Sequence, residues 1–119
     1  MPFKKMLGTM LERIPGSLGA IIVDWEGESV DQAGRLDAFE LKVIGAHKGL
    51  ILDNLRQAVA RAEGNDLEEI IITTAQRQTI IMPATRDYFL VVALERKDVM
   101  GRALFEARRC LEQLKEEIA

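Results

Sequence analysis

Few residues of this chain have side chains that could carry chemistry. The candidates are one histidine, His47, one cysteine, Cys110, and two adjacent acid pairs, Glu68-Glu69 and Glu116-Glu117. A lone cysteine excludes an internal disulfide framework, and with a lone histidine it removes most zinc constellations. Adjacent acids point to opposite faces of a strand, and on a helix they diverge by about 100°. Neither pair therefore forms a two-carboxylate site. A phosphate-binding loop needs Gly-Lys followed by Ser or Thr, and no Gly-Lys dipeptide occurs. The dinucleotide fingerprint and the Gly-x-Ser-x-Gly elbow are absent too. His47 falls within a helical pattern and reads as a solvated or interface residue. Cys110 lies on an apolar stripe and reads as an inert core thiol. No enzymatic activity, cofactor or metal site is expected.

The elements that would position any site must come from one domain, residues 1–119. Apolar residues make up 48% and charged residues 29% of the chain, an ordinary globular balance. The 19 acidic residues outnumber the 16 basic ones, so a nucleic-acid partner is not expected. The start, Met1-Pro2-Phe3-Lys4-Lys5, leads into an amphipathic segment and not into the apolar run of a leader. The longest clean apolar stretch, Phe89 to Leu94, is far short of the roughly 20 residues that cross a bilayer. A cytoplasmic protein with no membrane partner is the expectation.

Phe3, Met6, Leu7, Met10, Leu11 and Ile14 recur at helical steps, and Pro15-Gly16 ends that helix. Leu18 to Val23 is apolar at odd and even positions and reads as a central strand. Asp24-Trp25-Glu26-Gly27 suits a bulged hairpin turn, with Glu28 to Ala33 returning at an edge. Asp37 and Glu40 form a capping box with Leu36 and Leu41 as its staple, and a long helix follows to about Glu63, stopped by Gly64-Asn65. Strands Leu67 to Thr74, Gln78 to Met82 and Tyr88 to Leu94 make a meander. Asp98 caps a last helix whose stripe runs from Val99 through Cys110 to Ile118. The order αββαβββα predicts an α+β sandwich. One long helix covers one face of a five-stranded antiparallel sheet, and two terminal helices cover the other.

Two surfaces do not fit a self-sufficient monomer. On the long helix, Leu41, Ile44, Ile51, Leu55, Ala58, Val59 and Ala62 share a face that should cover the sheet. Phe39, Val43, Ala46 and Leu50 lie nearly opposite, where a helix resting on its own sheet should be polar. Gly45 and Gly49 lie between, each costing about 1 kcal/mol against alanine. Their bareness would admit a partner surface; packing against an element of the same fold is the alternative. The strand Leu67 to Thr74 sits at a sheet edge with Ile70-Ile71-Ile72 and neither proline nor lysine. Pairing two copies there would satisfy its free backbone groups and bring two long helices together; a covering loop or terminus is the alternative. Trp25 at its hairpin tip either folds over the sheet or stands out as a contact anchor.

Three segments together resemble the roadblock (dynein light chain roadblock) family. They are Pro15-Gly16-Ser17-Leu18-Gly19-Ala20-Ile21-Ile22-Val23-Asp24-Trp25-Glu26-Gly27, the long helix, and Tyr88-Phe89-Leu90-Val91-Val92-Ala93-Leu94 leading into Val99-Met100-Gly101-Arg102. Within that family the chain looks most like the bacterial gliding-motility regulators that partner a Ras-like GTPase. The resemblance implies a profilin- or longin-like fold and a homodimer with paired edge strands and paired long helices. Its dimer interface would be Leu67, Glu69, Ile70, Ile71, Ile72 and Thr73, with Leu52 and Arg56 from the helix. It further implies that a Ras-like small GTPase sits over Gly45 and Gly49, with Lys42, Ala46, Lys48 and Asp53 at the rim. In that class GTP hydrolysis is promoted by repositioning the GTPase's own residues, without an inserted arginine. Some such regulators carry a longer C-terminal tail that aids nucleotide exchange. This sequence closes at Glu116-Glu117-Ile118-Ala119, soon after the helix stripe ends, so that tail function is not expected, and activation, exchange and scaffolding stay open. Two other readings remain: a structural adaptor with no effect on hydrolysis, and a small-molecule sensor.

Overall fold

The computed structural model describes residues 2–26, 28–63, 67–85, 87–96 and 100–118, with the side chains of 2 and 59–63 outside the description. The sheet is centred on β1 (Ser17–Asp24) and β5 (Tyr88–Glu95), flanked by β2 (Ser29–Gly34) and β4 (Arg77–Pro83), with β3 (Ile70–Thr73) beyond β4. Its order is β2-β1-β5-β4-β3, and each neighbouring pair is antiparallel. Ala20 to Val23 and Phe89 to Leu94 are buried at successive positions, as strands covered on both faces must be. Asp24 makes the first hairpin: its Oδ1 accepts from the amides of Glu26 and Glu28, both at 2.9 Å. The register shift predicted for this hairpin falls between Ile22 and Val23.

The odd β1 residues Ile21 and Val23 join Ile81, Phe89 and Val91 beneath α2 (Ala38–Glu63). The even residues Ala20 and Ile22 join Ile80, Met82, Leu90 and Val92 beneath α1 (Pro2–Glu12) and α3 (Met100–Ile118). Among the described residues these are the predicted three layers. Between α1 and α3 lies Glu106, 6% exposed, with its Oε1 3.8 Å from Arg13 and 4.0 Å from Arg109. The Arg102 Nε donates to the Arg13 carbonyl at 2.9 Å and ties the end of the first helix to the start of the last.

Two expectations need correction. The strand expected over Leu67 to Thr74 is only Ile70–Thr73. Glu69 is instead held by Arg108 of α3 through two hydrogen bonds, at 3.1 and 2.5 Å, before the ladder with β4 begins at Ile70. The sheet-facing side of α2 is also rotated. Leu41 and Leu52 are buried there and Ile44 is packed against them, but Leu55 is 41% exposed and Ala58 is exposed. A wheel weighted by side-chain apolarity points away from glycines, and the glycines are on the side that meets the sheet. The proposed stops and caps at Gly64-Asn65 and Asp98, the turn residue Gly27, Val99, and the side chains of Val59 and Ala62 lie outside the described residues.

Candidate functional site

α2 begins where Asp37 accepts, through Oδ1, the amide of Glu40 at 2.8 Å. Leu36 and Leu41 both pack into the core beside that cap. Further along, a β-carbon added at Gly45 would lie 2.7 Å from Val23 Cγ2, and one added at Gly49 would lie 2.8 Å from Phe89 Cζ. Both distances are shorter than atoms tolerate. The glycines are therefore notches that let α2 settle onto its own sheet. This corrects the expectation of a glycine-lined partner surface: Gly45 is buried, and the neighbours that use its bareness are intramolecular.

Close seating of the inner side leaves the outer side bare. Phe39 is 77%, Val43 51% and Leu50 69% exposed, with Ala46 exposed between them. Steps of four, three and four residues align these side chains in a ridge about 16 Å long. Lys42 and His47 are exposed beside it, and Lys48 is half-buried with its Nζ 3.1 Å from His47 Nδ1. Asp53 is half-buried and turned along its own helix, accepting from Gln57 Nε2 at 3.0 Å and lying 3.7 Å from Arg56. Of the six residues expected to meet a GTPase, only Lys42 and Ala46 share the exposed side with the ridge.

The residues expected at a dimer interface divide differently. Leu52 is fully buried in the α2-side core, so it is unavailable to a second copy. Arg56 is occupied by Trp25: its guanidinium carbon stands 3.9 Å from the centre of the indole, a cation–π contact. Trp25 in turn leans on Phe89, ring centres 5.0 Å apart and tilted by 41°. The tryptophan is thus folded over the sheet. Glu69 is engaged by Arg108, whose guanidinium is held protonated above its ordinary range by that carboxylate. Leu67, Ile70 and Ile72 lean onto the α2-side core. Ile71 and Thr73 remain exposed on the terminal strand, with Ile71 at 42%.

Sequence reasoning missed two features. A cleft of about 720 Å³ opens off the β3 side of the sheet, with Leu67, Glu69, Met82, Arg108, Leu111 and Lys115 among its walls. Its carboxylates and cations offset one another, so no net charge selects a ligand. Phe105 of α3 is 61% exposed. Its position, about 100° or more from every residue of the buried stripe, was readable from the wheel. Cys110 is 3% exposed, and burial pushes its thiol up to about 11. Among the described residues no group of three or more histidine, cysteine or acidic side chains is placed to hold a metal. No described helix is long and apolar enough to cross a membrane.

No protein-family model matches the sequence, and no curated relative does. Solved structures do match its shape. The Roadblock/LC7 domain of Streptomyces avermitilis superposes with a TM-score of 0.89 at 16% identity, over 97% of this chain and 96% of that one. The fold is that of the Roadblock/LC7 domains. The gliding protein MglB of Thermus thermophilus shares the roadblock arrangement with a TM-score of 0.85 at 18% identity, over 98% of this chain and 90% of its own. Profilin II of Acanthamoeba castellanii is more distant, with a TM-score of 0.67 at 11% identity over 98% and 99% of the two chains. The profilin-like architecture expected from the sequence is therefore present, and the roadblock fold is matched over nearly the whole chain.

Proposed function

We propose that this chain is a regulatory adaptor that works as a homodimer and binds a Ras-like small GTPase on the outer side of α2. The exposed ridge Phe39-Val43-Ala46-Leu50 carries this reading, because a solvated helix face has no use for it. Lys42 stands beside the ridge and supplies a polar rim. Two copies pair along β3, which has no further strand beside it among the described residues and whose Ile71 is half open. Likeness in fold to a gliding protein supports the regulatory-adaptor part of this reading. The chain contributes shape and contact, and the hydrolytic groups belong to the GTPase. A cytoplasmic setting follows from such a partner.

The test uses substitutions at exposed positions, so that the fold is kept. Val43→Asp with Leu50→Asp should weaken binding of a Ras-like GTPase from the same genome by at least about a hundredfold in calorimetry. Dimer mass by light scattering should be unchanged. Ile71→Arg should instead yield monomers at about 500 mM salt. GTPase affinity that survives the double substitution would remove the ridge from the site. Binding without any change in hydrolysis rate would make the protein a structural adaptor. Arginine at Gly45 or Gly49 is unsuitable here, because it would strike Val23 or Phe89 before meeting any partner.

A further inference from the structure

α3 carries a pattern that its own molecule explains only in part. Its outward stripe is Gly101, Phe105, Arg109, Glu112 and Glu116, all exposed, and Phe105 is 61% open to solvent. Space above Gly101 is also open, since an added β-carbon there would have nothing within 4 Å. The charges run against the helix dipole. Arg102 stands in the first turn, which holds no acidic residue, and Arg108 and Arg109 follow. Glu116 and Glu117 stand in the last turn, where Lys115 is the basic residue. Helix N-termini favour acids and C-termini favour bases, so Arg102 and the Glu116-Glu117 pair stand at the unfavourable ends. Groups of the same chain offset this only partly. Arg102 donates to the Arg13 carbonyl, Arg108 is paired with Glu69, Arg109 lies 4.0 Å from Glu106, and Glu112 lies 3.6 Å from Lys115, whereas Lys5 of α1 shares a shallow hollow with Glu116 and Glu117 without an ion pair among the described residues.

We infer that the outward face of α3 binds the same face of a second copy, with the two helices antiparallel about a two-fold axis. The charge pattern is complementary to its own reverse, so that operation sets each basic half against an acidic half. With the axis between positions 110 and 111, Arg109 of each copy meets Glu112 of the other. Phe105 lies on the methylenes of the opposing Glu116, whose carboxylate falls between Arg102 and Arg109. The antiparallel arrangement also opposes the two dipoles favourably. One pair of helices about 28 Å long covers less than the roughly 800 Å² per partner of a standard interface. The association is therefore weak and salt-sensitive. It uses the layer opposite α2 and does not depend on the strand-edge dimer or on the GTPase reading.

Sedimentation velocity on the full chain, in an Ile71→Arg background that removes strand-edge pairing, tests it. At about 50 mM salt the protein should still dimerise, and at about 500 mM it should not. Phe105→Ser should weaken the dimer by about tenfold or more, and Glu112→Arg or Arg109→Glu alone should do the same. Mixing the Glu112→Arg and Arg109→Glu proteins should restore it, because every facing pair is then opposite in charge. A strictly monomeric Ile71→Arg protein at low salt would overturn the inference. So would a dimer indifferent to Phe105→Ser, or a mixture that stays monomeric. If Ile71→Arg leaves the mass of the wild type unchanged while the mixing result holds, the strand-edge reading fails and this one stands.

Discussion

A single hydrogen atom on Gly49 is what allows the α2 backbone to lie over the Phe89 ring, and Gly45 does the same over Val23. Phe89 is fully buried and held from the side by Trp25, so its ring has nowhere to retreat. The ordinary gain from replacing a helical glycine should therefore reverse sign here. Gly49→Ala is expected to lower stability by about 1–3 kcal/mol in urea titrations, the usual effect of overpacking a filled core. Gly8, within α1 and with nothing within 4 Å of an added β-carbon, is the control: Gly8→Ala should raise stability by about 0.5–1 kcal/mol. Equal responses at the two positions would mean that the notch is not filled as described. The sequence made these glycines visible as anomalies but could not assign them. A missing side chain marks a close approach without saying which neighbour makes it, and the neighbours, Val23 and Phe89, are distant in the chain.

The elements themselves were the most legible level. Capping by Asp37, the hairpin at Asp24 and the unbroken apolar runs of β1 and β5 are local signals, and the structure has each of them. The sequence pattern overextends β3 because Leu67-Glu68-Glu69 does not look different from the strand it precedes. What ends the strand is Arg108, 39 residues further along. That pair is largely exposed on the arginine side, so it should add little to overall stability. Its effect should be local. Arg108→Ala is expected to leave the melting temperature nearly unchanged while hydrogen exchange at the amides of Ile70 to Thr73 accelerates several-fold. Unchanged exchange there would show that the ladder to β4 holds the strand unaided.

At the scale of the molecule, layering followed from strands that are apolar on both parities, which can exist only beneath cover on two sides. Function did not follow in the same way, because one architecture serves profilin and roadblock domains alike and activity lies in the surfaces each presents. The closed core has a measurable consequence for the whole fold. The Cys110 thiol is pushed up to about 11 when folded, against an ordinary value near 9.0 when exposed. Above that ordinary value the unfolded chain loses a proton that the native chain keeps. Unfolding is then favoured progressively as pH rises from about 9 toward about 11. The urea midpoint should fall across that window more steeply in the wild type than in Cys110→Ala, and parallel slopes would place the thiol in contact with water. The stack of Arg56, Trp25 and Phe89 joins the first hairpin to both α2 and the sheet, and Trp25 is the chain's single indole. Its emission is thus a built-in optical gauge of whether the long helix keeps its seat when a ligand lands on the opposite side of it.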